Sequence, residues 1–294
     1  MRFSGTYTAL ITPFRDGAID VPAYQALIER QIAGGVDGIV PCGTTGESPT
    51  LDTDEHLEVI GLAVEFAAGR CAVVAGSGAN STAEAIELTE AAEQLGVTGT
   101  LQVCPYYNKP SQEGLYLHFK AIAESTNLPI MLYNVPGRAV VEIAPETVAR
   151  LAAGFSNITA LKEAGGSVDR VNQLVQVLPD DFAILCGDDP LTLPFIACGA
   201  TGLVSVTSNL IPDVMARLVR ACLNGSFDEA LVLQKQYYPL MRGLMSLDVN
   251  PVPIKTAVAL QGHCTADLRL PLAAMSADHH AKLTALLESY NLLP

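Results

Sequence analysis

A lysine at position 162 sits inside the run Ile158-Thr159-Ala160-Leu161-Lys162-Glu163-Ala164, among residues that would otherwise make a buried strand. Apolar surroundings disfavour an ammonium ion and so favour the neutral amine, the form that adds to a carbonyl carbon. The chemistry this suggests is a Schiff base with a carbonyl compound. An internal ion pair, or a side chain reaching out to the rim, would account for a lysine there equally well.

Three other stretches carry groups that such chemistry needs. Leu132-Tyr133-Asn134-Val135-Pro136-Gly137-Arg138 offers a tyrosine to relay protons to and from an enamine, and a guanidinium to hold a carboxylate in bidentate fashion. As alternatives, Tyr133 is a core aromatic and Arg138 a solvated residue beside a Pro-Gly turn. Pro41-Cys42-Gly43-Thr44-Thr45-Gly46-Glu47-Ser48 sets two hydroxyls between two glycines, a loop whose amides and side chains could cradle a small carboxylate, although ordinary loop threonines look the same. In Cys104-Pro105-Tyr106-Tyr107-Asn108-Lys109-Pro110 the adjacent tyrosines must point in different directions, one toward the interior and the other toward a neighbouring subunit.

These segments are far apart in the chain, so a scaffold must gather them. Eight short apolar runs alternate with helical patterns: Gly5–Thr12, Val36–Pro41, Cys71–Gly78, Gly99–Pro105, Pro129–Val135, Ile158–Ala164, Ala183–Asp188 and Gly202–Ser208. Repeated βα units of this kind predict a (β/α)8 barrel, with several strands apolar on both faces. In such barrels the active site lies at the C-terminal ends of the strands, where all of these groups fall. Helix punctuation agrees: Asp52 opens an acidic first turn, Ser81-Thr82-Ala83-Glu84 fits a capping box, and Leu115, Phe119 and Ile122 repeat at helical spacing. The last barrel helix starts at Ile211-Pro212 and ends near Asn224-Gly225. The expected division is a catalytic barrel over 1–224 and a small C-terminal helical domain over 225–294, with three helical patterns and no strand. An open doubly wound sheet is disfavoured, because no Gly-rich turn follows the first run.

Composition narrows the function classes. A net charge of −14 repels nucleic acid phosphates, and no Lys/Arg cluster interrupts the acidic balance. No apolar stretch is long enough to cross a bilayer, and Met1-Arg2-Phe3-Ser4-Gly5 lacks the features of a signal peptide, so a cytoplasmic location is expected. The seven cysteines are scattered and read as buried thiols rather than as a disulfide framework. The five histidines show no metal-ligand spacing, which disfavours a metal site; His118 and His263 read as core or interface residues, and His279-His280 as a solvated helix face. No nucleophile elbow, P-loop or dinucleotide fingerprint appears.

Taken together, G-T-T-G-E-S at 43–48, P-Y-Y-N-K-P at 105–110, Y-N-V-P-G-R at 133–138, L-K-E-A at 161–164 and N-P-V-P-I-K at 250–255 form a specific set. Over essentially its whole length the chain resembles the dihydrodipicolinate synthase (4-hydroxy-tetrahydrodipicolinate synthase) family. The lysine strand and the G-T-T-G-E loop are shared with related pyruvate-dependent aldolases, including N-acetylneuraminate lyase and 2-keto-3-deoxy-sugar-acid aldolases. Y-N-V-P-G-R favours the synthase. A sugar-acid aldolase would prefer a longer hydroxylated aldehyde, and a non-catalytic member would be expected to lose part of the Lys, Tyr and Thr set.

The resemblance implies that Lys162 condenses with pyruvate and that the enamine attacks L-aspartate 4-semialdehyde, in lysine and diaminopimelate synthesis. It implies that Thr44 and Thr45 seat the pyruvate carboxylate, and that Tyr133, Thr45 and Tyr107 form a proton relay, Tyr107 reaching across a subunit interface. It places Arg138 on the semialdehyde carboxylate, near Gly187 and the Val204 backbone. It implies a homotetramer built from two tight dimers and no cofactor, the imine being the electron sink. It further implies an L-lysine effector site at positions 48, 49, 53, 56, 80, 84 and 106, with Asn80 on the effector's carboxylate, Glu84 on an ammonium, and Ser48, His56 and Tyr106 completing the pocket. Pro49 and Thr53 depart from the alanine and histidine common in sensitive bacterial enzymes. Asn80 and Glu84 could instead simply begin a barrel helix.

Overall fold

The computed structural model of the chain describes residues 3–294. Met1 and Arg2, which the sequence reading includes in the approach to the first strand, lie outside these residues. In chain order the strands are β1 (Gly5–Ala9), β2 (Phe14–Arg15), β3 (Ala18–Ile19), β4 (Gly38–Val40), β5 (Ala72–Gly76), β6 (Gly99–Val103), β7 (Ile130–Asn134), β8 (Ile158–Glu163), β9 (Ala183–Cys186) and β10 (Gly202–Ser205). Eight of them, all but β2 and β3, close a parallel barrel in sequence order, with β10 returning beside β1. β2 and β3 form a small antiparallel hairpin. Two residues on each side of Asp16-Gly17 are too few to show alternation, so the sequence does not signal this hairpin.

The eight barrel strands fall within the eight expected runs, but each ends earlier. β1 stops at Ala9 rather than Thr12, and β10 at Ser205 rather than Ser208. The extra residues remain buried, as Leu10 to Thr12 and Val206 to Ser208 do, so hydrophobicity continues where the ladder has already opened into loops at the barrel mouth. One irregularity sits in the wall. Ile130 pairs with Ile158 but Met131 pairs with Ala160, so Thr159 is one extra residue on β8; beyond it Tyr133 pairs with Lys162 and Asn134 with Glu163.

The barrel helices are α1 (Val21–Ala33), α2 (Thr53–Ala67), α3 (Thr82–Gln94), α4 (Gln112–Ser125), the short α5 (Pro136–Ala139), α6 (Pro145–Gly154), α7 (Val168–Val177), α8 (Thr192–Ala197) and α9 (Pro212–Leu223). The full capping box is at α2, where Asp52 accepts from the Glu55 N–H and Glu55 returns a bond to the Asp52 N–H. The box expected at α3 is half formed. Ser81 accepts from the Glu84 N–H, but the Glu84 side chain turns to line a cavity instead of bonding back. Pro212 opens α9 at a position where a helix has no use for an N–H, and Gly225, at φ 74°, follows its end.

Beyond the barrel come α10 (Phe227–Ser246), α11 (Val252–Leu260) and α12 (Ala277–Ser289). Among the described residues no strand follows α9. Leu240 and Leu244 of α10, Ile254 of α11 and Leu283 of α12 join the same apolar cluster as Leu185 and Leu203 of the barrel. Each fully buried leucine contributes about 2 kcal/mol, so the C-terminal helices are held to the barrel by its own core. No helix among the described residues is long and apolar enough to cross a membrane.

The expectation for the cysteines needs correction, and that for the histidines is narrowed. Cys42, Cys104, Cys186 and Cys222 are buried, but Cys71, Cys198 and Cys264 are only partly so. Burial pushes the Cys104 thiol up to about 12 and the half-buried Cys71 thiol up to about 11, which leaves both poor nucleophiles at neutral pH. His263 lies on the surface of this chain, which leaves the interface half of its expectation, because α11 has already ended at Leu260 and the chain is turning; His118 is buried as expected.

Candidate active site

Lys162 lies near the C-terminal end of β8, with 6% of its surface exposed. Its Nζ sits 4.1 Å from the centre of the Tyr133 ring, the residue beside it on β7. Among the described residues it forms no ion pair. Its neighbour Glu163 takes the other face of the strand, where the Asn134 Nδ2 donates to both carboxylate oxygens at 3.0 Å, Arg170 Nε donates at 2.7 Å and the Gly165 N–H at 2.7 Å. Alternation along the strand thus separates the amine from the one carboxylate adjacent to it in sequence.

The contrast with Lys255 on α11 is informative. That lysine is also buried, but its Nζ contacts Glu47 and donates to the Asp267 carbonyl at 2.9 Å. Burial holds its ammonium below the usual lysine range, while Glu47 pulls in the opposite direction. Of two buried lysines, one is neutralised by a partner and the other faces an aromatic ring with its amine uncommitted.

Tyr133 is 6% exposed, and its hydroxyl makes no hydrogen bond to any described residue. The loop after β4 is tightly wound: the N–H of Gly46 donates to Gly43, that of Glu47 to Thr44 and that of Ser48 to Gly43. The amides of Thr44 and Thr45 stay uncommitted, which suits an anion. Thr45 is buried and its Oγ1 accepts from Asn250 Nδ2 at 3.0 Å. Glu47, at φ 57°, ends this turn in the left-handed region that side chains seldom adopt. It is held there by Lys255 and by the Arg269 N–H at 3.1 Å.

Arg138 stands on α5, exposed, with Nη2 donating to the Asn250 carbonyl at 3.1 Å. It forms no ion pair among the described residues. Gly187, just past β9, is a point of close approach: a Cβ there would come within 3.2 Å of Lys162 Cε and 2.7 Å of the Ala164 Cβ. Val204 is buried in β10 opposite Tyr7 and does not line the cavity described next.

A cavity of about 370 Å³ is lined by Thr44, Tyr133 and Arg138 together with Ser48, Pro49, Thr53, His56, Glu84 and Tyr106. Part of each set of residues singled out in the sequence therefore borders one space, while Lys162, Thr45 and Gly187 are not among its lining residues. Asn80 is outside this lining, and its Nδ2 donates to the Tyr106 carbonyl at 3.2 Å. His56 Nε2 bonds the Gly76 carbonyl at 2.8 Å, and burial lowers its pKa, so the ring is held neutral. Tyr107 is 89% exposed at φ 75° and does not line the cavity. The contacts of Asn250 and Lys255 escape sequence reasoning, since nothing in N-P-V-P-I-K says which loop those residues meet; a buried lysine in an apolar helix was the only available signal.

Comparison with known proteins gives a consistent picture. The sequence matches the Dihydrodipicolinate synthetase family over residues 2–290. It is 50% identical, over 291 residues covering 99% of this chain and all of the other, to 4-hydroxy-tetrahydrodipicolinate synthase of Pelobacter propionicus. The structure of the same enzyme from Methylacidiphilum fumariolicum SolV is 52% identical, with both chains wholly covered and a TM-score of 0.95. Dihydrodipicolinate synthase from Aquifex aeolicus superposes with a TM-score of 0.98 at 46% identity, covering 99% of each chain. The synthase from Cyanidioschyzon merolae, solved with lysine bound, is 39% identical with a TM-score of 0.96 and 99% of each chain covered. With the barrel, the buried amine and the whole length of the sequence in agreement, the chain belongs to the dihydrodipicolinate synthetase family.

Proposed function

We propose that Lys162 carries the reaction. The chain is a Schiff-base-forming lyase that condenses pyruvate with L-aspartate 4-semialdehyde to 4-hydroxy-tetrahydrodipicolinate, in lysine and diaminopimelate biosynthesis. The observation that supports Lys162 is its buried amine, unpaired and stacked on Tyr133. The amine adds to the pyruvate carbonyl and water leaves, giving an imine. The imine draws electrons from the neighbouring methyl group, which loses a proton to form an enamine. The enamine carbon bonds to the aldehyde carbon, whose oxygen takes up a proton. The amino group of the new adduct then displaces Lys162 at the imine carbon, closing the ring and freeing the enzyme. No separate cofactor is needed, because the imine is the electron sink.

In this reading the Thr44 and Thr45 amides and hydroxyls receive the pyruvate carboxylate, and Arg138 receives that of the semialdehyde, beside Gly187 and the Val204 backbone. Tyr133, Thr45 and Tyr107 move the protons. The exposure of Tyr107 supports a role completed by a second subunit, within a homotetramer of tight dimers. Residues 225–294 serve as a small domain that holds the substrate loops, and the enzyme works in the cytoplasm. The test is to treat the protein with pyruvate and borohydride and map the reduced adduct by mass spectrometry. Modification of Lys162 is expected, and labelling that persists in Lys162→Ala would overturn the assignment.

A second reading concerns L-lysine, which is bound in the Cyanidioschyzon merolae structure. We propose that it binds here in this cavity, with Glu84 on an ammonium group, Asn80 on the carboxylate, and Ser48, Pro49, Thr53, His56 and Tyr106 around it. The half-formed cap at α3 supports this, since it leaves the Glu84 carboxylate free to face that space.

A further inference from the structure

Asn250 lies just ahead of α11, buried, and it touches two loops that leave the barrel from well-separated strands. Its Nδ2 donates to Thr45 Oγ1 at 3.0 Å, after β4, and its main-chain carbonyl accepts from Arg138 Nη2 at 3.1 Å, after β7. In the closed order of strands, β5 and β6 stand between these two. One residue from outside the barrel thus ties the group assigned to pyruvate to the group assigned to the second carboxylate.

The direction of the first bond matters most. A threonine hydroxyl has one proton and two lone pairs. With the Asn250 amide donating through Nδ2 and its Oδ1 buried without a protein partner, the bond occupies a lone pair of Thr45 and leaves the hydroxyl proton for another acceptor. No described residue accepts that proton. It is therefore available to a reacting group brought against Thr45, which a residue that accepted from Thr45 would prevent. The rest of the segment reinforces the arrangement, for Lys255 and the Arg269 N–H fix Glu47 two residues on, and Arg269 Nη1 donates to the Thr50 carbonyl at 2.9 Å.

We infer that Asn250 is a positioning residue for the condensation: its side-chain amide sets Thr45 as a proton donor toward the substrate while its carbonyl steadies Arg138. The inference rests on the proposed part of Thr45 in the proton relay. It separates the two contacts, since a side-chain substitution removes the bond to Thr45 and leaves the carbonyl to Arg138 in place.

The experiment is a double-mutant cycle on kcat with Asn250→Ala, Thr45→Val and the two combined, alongside borohydride trapping of pyruvate and the KM for each substrate. Misplacing a reacting group by a small distance costs about a hundredfold in rate, so a fall in kcat of about tenfold to a hundredfold is expected in Asn250→Ala. Trapping at Lys162 and the KM for the semialdehyde should change less than about threefold, and the double variant should be no slower than Thr45→Val alone. Asn250→Asp, which keeps the shape of the side chain, supplies a carboxylate that accepts from Thr45 and so withdraws its proton; kcat is expected to fall at least as far as in Asn250→Ala. This variant decides the matter if Asn250→Ala does not fold. Full activity in Asn250→Asp, or independent losses in the cycle, would overturn the role of Asn250 and leave the relay standing. Unchanged kcat in Thr45→Val would instead remove the relay reading, and this inference with it.

Discussion

Replacing Lys255 by methionine isolates the contact that holds the substrate loop to the C-terminal helices. Lys255 and Glu47 are both fully buried, and the methionine stem retains most of the lysine volume against the Phe14 ring, which lies 4.2 Å from Nζ. The Glu47 carboxylate would keep one donor, the Arg269 N–H at 3.1 Å, and lose its counter-ion. Removing one member of a buried pair destabilises a protein by about 3–5 kcal/mol, because the remaining charge has neither water nor a partner. With one hydrogen bond surviving and the packing largely kept, the lower half of that range, about 3–4 kcal/mol, is expected. Urea unfolding followed by circular dichroism at fixed protein concentration measures it. The neutral pair Lys255→Met with Glu47→Gln should recover to within about 1–2 kcal/mol of the parent, since no charge is left stranded. A single variant within about 1 kcal/mol of the parent, or a double variant less stable than the single, would refute the view that charge desolvation dominates here. The KM for pyruvate should rise in the single variant, as the strained Glu47 turn loses an anchor.

Arg138→Ala is expected to weaken use of the semialdehyde by about 1.5–3 kcal/mol in kcat/KM, the value of a charged hydrogen-bonded contact, while pyruvate trapping continues; equal loss in both half-reactions would mark a structural arginine. Tyr107→Phe should lower turnover without changing the unfolding midpoint, and mixing it with Lys162→Ala under subunit exchange should restore part of the activity, whereas no restoration despite proven exchange would count against a shared site. Glu84→Gln should abolish the calorimetric heat of L-lysine binding that the parent shows at millimolar concentration, and a parent protein that gives no heat would refute the effector reading. His118, whose pKa burial lowers to about 4, concerns acid stability. Its unfolded value is about 6.5, so as pH falls from there toward 4 the unfolded chain takes up a proton that the folded chain refuses, costing about 3 kcal/mol. His118→Gln should flatten the loss of stability over that window, and an unchanged slope across a pH series of unfolding curves would exclude His118 as its source.

The barrel was legible because each strand is buried on both faces, so that apolar runs such as Ile130–Asn134 stand out from helices patterned on one side only. Strand ends were less legible, since Leu10 and Val206 stay buried after leaving the ladder and composition cannot separate a ladder from a packed loop. Lys162 could be found in the sequence because a lone charge interrupts an apolar run. Whether it carried a counter-ion could not, for Glu163 is adjacent in sequence and only the alternation of the strand sends it to Arg170. Asn250 was beyond reach for a different reason. Its partners Thr45 and Arg138 are 205 and 112 residues away, and an asparagine ahead of a proline has many ordinary uses.

The extra residue Thr159 in β8 has a consequence for how this wall tolerates change. Were Thr159 instead paired in turn with Met131, the ladder that begins with Ile130 and Ile158 would run on without a step, setting Leu161 beside Tyr133 and Lys162 beside Asn134. Asn134 serves the outer layer, where Glu163 and Arg170 lie. The amine would then be delivered to the wrong side of the barrel with every residue of the strand's last turnings still present. Thr159, three residues from the chemistry and touching none of it, is therefore a frame setting in space: removing it would leave Lys162 beside Tyr133, whereas drawing it into the ladder would leave the composition of the site intact while exchanging inside for outside.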